Sequence, residues 1–357
     1  MSRIVAAVGN PRFKVTLIVV AILAVVGGGT AASVALTSGG ANVSALPAAE
    51  NPAAPLSPTT STTTPVSSVP ATSIPQPLVP TVPTMPTTGS ATVATTSNLI
   101  SDTCLYSHEA NDDPILQPGM TGQSMAHDFF GNMATSATST APGLVGGQTS
   151  CTTSVDASAY WTPVLYQNGV AITPERNLIY WSGLQANDPA VTAPPAGLEM
   201  IAGDEGATAP QSTKVIDWRC AEQTLTPQPV SATPVNCAGT NGIELRITFP
   251  SCWNGTSLSG ANQTNVVYPN KGAVCPDGHS VRIPTVIFHV VYPITSAAGI
   301  TLSMGPGQQG STDTAHGDFI NGWSQSVLSR LISGCASATH TCGHVTGPSA
   351  IVRSRVA

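Results

Sequence analysis

Two hydrophobic patterns divide this chain. From about residue 100 onward, apolar side chains recur at every second position, the spacing of a strand with one buried face. Residues 243–249 alternate Ile243, Leu245, Ile247 and Phe249 with Glu244, Arg246 and Thr248, which predicts a half-buried antiparallel strand. Residues 285–292 are apolar on both faces, Val286, Phe288, Val290 and Tyr292 on one and Ile287, His289 and Val291 on the other. That strand is expected at the centre of a sheet. Residues 159–172 read as a strand, an Asn168-Gly169 turn and a returning strand. Weaker strands are expected at 178–181, 198–202, 215–219 and 300–304. Prolines and glycines punctuate the gaps, and the helices that an α/β fold would place between strands are missing. The expectation is a mainly β domain, an antiparallel β-sandwich or jelly-roll, with one C-terminal helix. The helix is placed at 322–333, where Phe319, Trp323, Val327 and Leu331 fall four apart beside Leu328 and Ile332. Asn321 is offered as its N-cap and Gly334 as its terminator.

The first hundred residues follow a different pattern. Arg3, Arg12 and Lys14 mark residues 1–14 as a short basic cytoplasmic segment, and residues 15–36 then carry no charge over 22 positions. That run is long enough to cross a bilayer as a helix, with the following chain outside. Its strongly apolar part is shorter, 15–26, and Ser33-Val34-Ala35 offers a cleavage site, so the run reads as a retained signal anchor or a cleaved signal peptide. Either way the rest is extracytoplasmic, on a single-pass cell-membrane protein whose N-terminal helix contacts the membrane, or on a secreted one. Residues 37–98 are rich in Pro, Thr and Ser with Glu50 the sole charge. Such a segment buries too little apolar surface to fold and is expected to be a disordered stalk. The folded domain is placed at 99–345, with a tail at 346–357.

All eight cysteines lie beyond residue 100 and no C-x-x-C pair occurs. Behind an export signal, an even number of spread cysteines predicts a disulfide framework. Neighbour pairing is expected because short loops close most easily: Cys104 with Cys151, Cys220 with Cys237, Cys252 with Cys275, Cys335 with Cys342. From Asp102 onward 17 acids face 9 bases, a balance of −8, and a surface of that sign repels phosphate backbones, so nucleic acid is not an expected partner.

Polar chemistry is concentrated at 107–132, SHEANDDPILQPGMTGQSMAHDFFGN, in a protein only 8% charged. This stretch holds His108, Glu109, Asp112, Asp113, His127 and Asp128 before Phe129 and Phe130. His316-Gly317-Asp318 repeats a histidine beside a carboxylate. Imidazole nitrogens and carboxylate oxygens suit a divalent metal ion, which predicts a site from His108, His127, His316 and one aspartate. None of these three histidines lies at H-x-x-x-H spacing from another, so only tertiary folding could assemble the site. A metal-free alternative pairs His127 or His316 with Asp112, Asp113, Asp128 or Asp318 for acid–base work on a glycosidic or ester bond. No G-x-S-x-G elbow supports a serine esterase. A structural role stands beside both, in which these side chains bond loop N–H groups, Asp112-Asp113-Pro114 forms a turn and His289 is a satisfied core histidine. Trp253, in the Cys252-Trp253-Asn254-Gly255 turn, is the tryptophan expected to stack on a sugar or to cover a disulfide; the other four are expected in the core.

Six motifs in consistent order, SHEANDDPI, AHDFFGN, YWTPVLY, FPSCWNG, CPDGHSVRIP and HGDFINGW, give the chain a resemblance to a family. It resembles the secreted bacterial and fungal proteins grouped as a domain of unknown function, DUF1996. The resemblance implies export and polysaccharide-rich surroundings but no settled activity. His108, Asp112, Asp113, His127, Asn132, His279, His316 and Asp318 fall on matching motif positions. A second histidine usual in the family two places before His127 is replaced here by Met125. The function expected is that of a cell-surface protein acting on wall polysaccharide, with His127, Asp128, Asp113 and Asp318 as catalytic residues and Trp253 and His279 as binding residues. The alternative is a non-catalytic carbohydrate-binding or adhesive module.

Overall fold

Alternating apolar positions need a second layer to bury against, and the chain supplies it by folding two sheet leaves face to face. The computed structural model describes residues 99–184, 191–221, 230–260, 263–336, 342–347 and 351–353. The run at 15–36, the stalk at 37–98 and most of the tail lie outside them; no helix among the described residues is long and apolar enough to cross a membrane. In chain order the elements begin with β1 (Ile100–Ala110), β2 (His127–Gly131), the short helix α1 (Ala141–Leu144), β3 (Ala159–Pro163), β4 (Leu165–Gln167) and β5 (Val170–Ala171). They continue with β6 (Arg176–Ser182), β7 (Glu199–Gly203), β8 (Ile216–Cys220), β9 (Ile243–Thr248), β10 (Cys252–Trp253), β11 (Val266–Val267) and β12 (Val281–Arg282). The last are β13 (Thr285–Tyr292), β14 (Ile300–Gly305), β15 (Gln308–Gly310), β16 (His316–Ile320), α2 (Gln325–Ala336), β17 (Gly343–Thr346) and β18 (Ile351–Arg353).

The main sheet runs β7-β16-β3-β2-β1-β6-β13-β9-β8. Strand β1 belongs to both leaves. Its first half pairs antiparallel with β6, Ile100 opposite Trp181 to Leu105 opposite Arg176, and its second half pairs with β2. Between Tyr106 and His108 the register shifts by a bulge, so Ser107 has no partner and the side chains beyond it change faces. His108 therefore stands opposite Phe129, and Glu109 opposite Asp128. The first leaf, β1-β6-β13-β9-β8, packs on the second, β1-β2-β3-β16-β7, through rings from both sides. Tyr160 meets Phe288 at 5.5 Å and Trp181 meets Phe319 at 5.8 Å between centroids. All four are fully buried, each worth about 1.5–3 kcal/mol of apolar transfer. Gly317 lies where the leaves are closest: a Cβ there would sit 3.0 Å from Ile247 and 3.1 Å from Phe288.

The expected mainly β antiparallel fold with a C-terminal helix is present. Strand β13 spans 285–292 and lies between β6 and β9 as anticipated. All four disulfides join the neighbouring cysteines, and no described cysteine is free. That usage fits an oxidising, extracellular location. Two local expectations are corrected. The strand at the start of 159–172 breaks at Val164, so β3 stays in the main sheet while β4 and β5 join β14 and β15 in a small one. The helix begins at Gln325, because Phe319 lies on β16 and Trp323 bridges Asp156; Asn321 instead donates to the carbonyls of Pro194 and Pro195, and Gly334 lies inside the helix.

Candidate functional site

Strand alternation sorts the second leaf's side chains. Phe130, Tyr160 and Phe319 point into the main core, while Phe129, Trp161 and Ile320 form a smaller outer cluster with Leu144 and Ala159. His127 shares the face of Phe129, and His316 and Asp318 share that of Ile320. His127 stands opposite Pro163, and Asp318 opposite Trp161. Continuing that register puts His316 across β3 from His127, with only the low proline ring between them. Gly203, opposite His316, has φ +95°, and a Cβ there would lie 2.5 Å from the Ala315 carbonyl oxygen, so β7 approaches this closely only as glycine.

The two imidazole Nε2 atoms stand 3.5 Å apart, and His316 Nε2 is 3.7 Å from Asp318 Oδ2. One ligand atom from each of the three residues falls within 4.8 Å of the others, and all three residues are fully buried. Tautomers follow from the far side of each ring. His127 Nδ1 is 3.0 Å from the Asp112 carbonyl oxygen and His316 Nδ1 is 2.8 Å from that of Thr314. A carbonyl only accepts, so Nδ1 donates in both rings and each neutral ring turns an Nε2 lone pair inward. Burial holds both rings neutral, lowering each to about 4, with His127 a further cause at His316. Both Asp318 carboxylate oxygens are buried with no hydrogen-bond donor. Burial, then Asp113 and Glu205, raises the Asp318 carboxyl well above its ordinary value.

The loop at 111–126 covers this face. Asp112 accepts from Gly122 N–H at 2.8 Å and Ala137 N–H at 3.0 Å, while its main chain orients His127. Asp113, 1% exposed, accepts from Ile115 and Leu116 N–H through Oδ1 and acts electrostatically on His316 and Asp318. From the other side, Gln211 clasps the β7 turn to the β16 approach: its Oε1 accepts from Asp204 N–H, and its Nε2 donates to the Asp313 and Ala315 carbonyls.

Of the residues expected from sequence, the structure thus brings together His127, His316 and Asp318, on which Asp113 acts electrostatically. His108 stands apart, its Nδ1 2.9 Å from Ser107 Oγ, its Nε2 2.9 Å from the Thr135 carbonyl oxygen, and its ring stacked on Phe129 at 4.8 Å. Asp128 points to the opposite face from His127, towards Glu109, Tyr106, Tyr166 and Tyr292. Trp253 lies on β10, its indole N–H donating to the Ser257 carbonyl, and His279 Nε2 is 2.7 Å from the Thr264 carbonyl oxygen; neither joins the histidine group. Sequence reasoning passed over Glu199, Glu205 and Gln211. The Gly203-Asp204-Glu205-Gly206 turn directly after an apolar strand was the available signal.

A family model described as a domain of unknown function, DUF1996, matches residues 113–323. The chain belongs to the DUF1996 family. Its matched span starts at Asp113 and takes in His127, His316 and Asp318, while His108 and Asp112 precede it. No curated protein and no solved structure is significantly similar to this DUF1996 chain.

Proposed function

We propose that this extracellular DUF1996 domain binds a divalent transition-metal ion through His127 Nε2, His316 Nε2 and Asp318. The observation that carries the proposal is the convergence of acceptors without a donor: two inward lone pairs and a donor-free carboxylate, all fully buried. Buried acceptors left in that state cost free energy, which a shared cation recovers. The spacing agrees, because two ligands about 2.1 Å from one ion at a tetrahedral angle stand roughly 3.4 Å apart. The observed separations are 3.5 and 3.7 Å. A nitrogen-rich set with one carboxylate suits zinc, with cobalt and manganese as weaker substitutes. The test is elemental analysis of oxidised protein purified without chelator. One equivalent of metal is expected, absent from His127→Ala and His316→Ala variants that stay folded; a metal-free wild type would refute the assignment.

A second reading keeps polysaccharide as the target and rests on Asp128. Its Oδ2 is buried without a donor, and burial followed by Glu109 raises its carboxyl well above the ordinary range. The bulge in β1 turns exposed Glu109 to the same side, beside half-buried Tyr106 and Tyr166. A buried carboxyl next to an exposed one, flanked by rings, is the equipment of glycoside hydrolysis or glycan retention. Asp128→Asn should then abolish retention on, or turnover of, insoluble wall glycan while leaving metal content unchanged. Equal retention and turnover in wild type and variant would remove this reading.

A further inference from the structure

Adjacent side chains on a regular strand point to opposite faces and do not meet. The bulge in β1 lifts that rule for Ser107 and His108, because Ser107 falls between the registers of Tyr106 and His108 and pairs with no residue of β2. The Ser107 hydroxyl oxygen lies 2.9 Å from Nδ1 of the neighbouring ring. The direction of that hydrogen bond follows from the far side of the imidazole, where His108 Nε2 is 2.9 Å from the Thr135 carbonyl oxygen. A carbonyl only accepts, so Nε2 carries the proton, Nδ1 of the neutral ring holds a lone pair, and the Ser107 hydroxyl donates to it. A nucleophile, a base and a third group that holds the base are the parts that activate a serine.

More than these two hydrogen bonds fixes the ring. It stacks on fully buried Phe129 with centroids 4.8 Å apart and planes 6° from parallel. The Thr135 carbonyl is presented by a turn tied to Asn132: Thr135 Oγ1 donates to the Asn132 carbonyl, Ala134 N–H donates to Asn132 Oδ1, and Asn132 Nδ2 donates to the Leu144 and Ala157 carbonyls. Ser107 and His108 are themselves half-buried and reach solvent, whereas His127 and His316 are fully buried.

We infer that Ser107 and His108 are a serine nucleophile and its general base, a second site distinct from the His127 group, and that its substrate is a neutral carboxylic ester. An ester suits the site because Thr135 offers the imidazolium only a carbonyl dipole, where serine proteases supply a carboxylate. Exposed Glu109, the next residue, repels an anionic substrate. In the reaction, Ser107 Oγ bonds to the ester carbonyl carbon as its proton passes to His108 Nδ1. Collapse of the tetrahedral intermediate breaks the bond to the alcohol oxygen, which takes that proton. Water then attacks the seryl ester with His108 Nδ1 as base, and the proton returns to Ser107 Oγ, so one ester and one water leave as one alcohol and one acid.

The test uses the full chain with disulfides intact, an alkyl fluorophosphonate as covalent probe and p-nitrophenyl acetate as ester. A base-activated serine oxygen displaces fluoride from the fluorophosphonate, and peptide mass spectrometry locates the adduct. The expected result is an adduct on Ser107, absent from Ser107→Ala and formed about 100-fold more slowly in His108→Ala, the size of a lost general base. Turnover of p-nitrophenyl acetate should fall with it in both variants. An adduct that forms equally fast in His108→Ala, or that appears at the same rate on other exposed serines, would make Ser107 an ordinary hydroxyl and overturn the inference. Ester turnover unchanged in Ser107→Ala would overturn the substrate assignment. A wild type with no adduct on Ser107 would overturn the site outright, whether or not the variants fold.

Discussion

Each outer face of the sandwich carries a histidine beside a carboxylate, and the two faces treat that pair in opposite ways. On the first leaf His289 Nδ1 lies 2.7 Å from Glu244 Oε1, and Arg219 lies 3.9 Å from the same oxygen. Asp217, 1% exposed, is held by Arg219 at 2.6 Å and Arg246 at 2.8 Å. Each acid there faces a cation supplied by the chain. On the second leaf Asp318 is fully buried with neither oxygen bonded, and His127 and His316 turn lone pairs towards it. A third arrangement, in the main core, uses a proton: Asp102 and Asp156 share a buried region in which Thr103, Thr152, Ser158 and Tyr160 donate to their oxygens. The same fold thus satisfies buried carboxylates with arginine in one place and with hydroxyls and protons in another. On the reading proposed above, the carboxylate with neither oxygen bonded is where a cation from outside the chain completes the charge.

The comparison breaks most visibly if zinc fails to stabilise the protein. At zinc a thousandfold above its dissociation constant, binding should add about 4 kcal/mol to unfolding free energy, read as a rise in Tm that EDTA reverses and His316→Ala lacks. Next in size, Asp217→Ala strips Arg219 and Arg246 of their buried partner and should cost about 3 kcal/mol by urea unfolding, equally with and without zinc. A zinc-dependent cost would mean the two faces are not independent.

A more gradual effect, spread over several pH units, separates the proton-bearing pair from both. Asp102 is raised to about 8 by burial and then by Asp156, which burial itself raises to about 6. Folded values above the unfolded value of 3.8 mean that this stability is complete below about pH 4 and is lost as pH rises through 6 to 8. In EDTA, Asp102→Asn should flatten that loss, by at most about 1.4 kcal/mol per pH unit, in unfolding curves taken from pH 4 to 9. The smallest effect is expected at His108. His108→Ala removes one stacked ring and should cost about 1 kcal/mol with metal content unchanged; loss of metal would restore it as a ligand.

The strands were largely legible because period-two burial is written locally: 243–249 and 285–292 announce β9 and β13 within a residue. Short-loop closure likewise suffices for the disulfide pairing. What sequence could not place was β1, whose bulge at Ser107 reverses the side-chain alternation, so His108 comes to the face of Phe129 and His127 but stands one pair away from His127, with its ring stacked on Phe129. The helix start was misread because Phe319 and Trp323 fall at helical spacing from Val327 while lying on a strand and a bridge. His127, His316 and Asp318 were legible as residue types beside acids. Their convergence was not, since it depends on β2 and β16 flanking β3, a topology with no local signature. The tautomers depend on two carbonyls, Asp112 and Thr314, whose identity as residues carries no hint of the role.

The measurement that tests the central claim most directly is anomalous diffraction at the zinc absorption edge, from crystals of the oxidised protein grown with zinc and no chelator. The account predicts a single strong peak inside the second leaf's outer face, about 2.1 Å from both His127 Nε2 and His316 Nε2 and within ligand distance of Asp318. A map with no peak there, or with density for a water accepting a proton from a protonated His127 or His316, would contradict it.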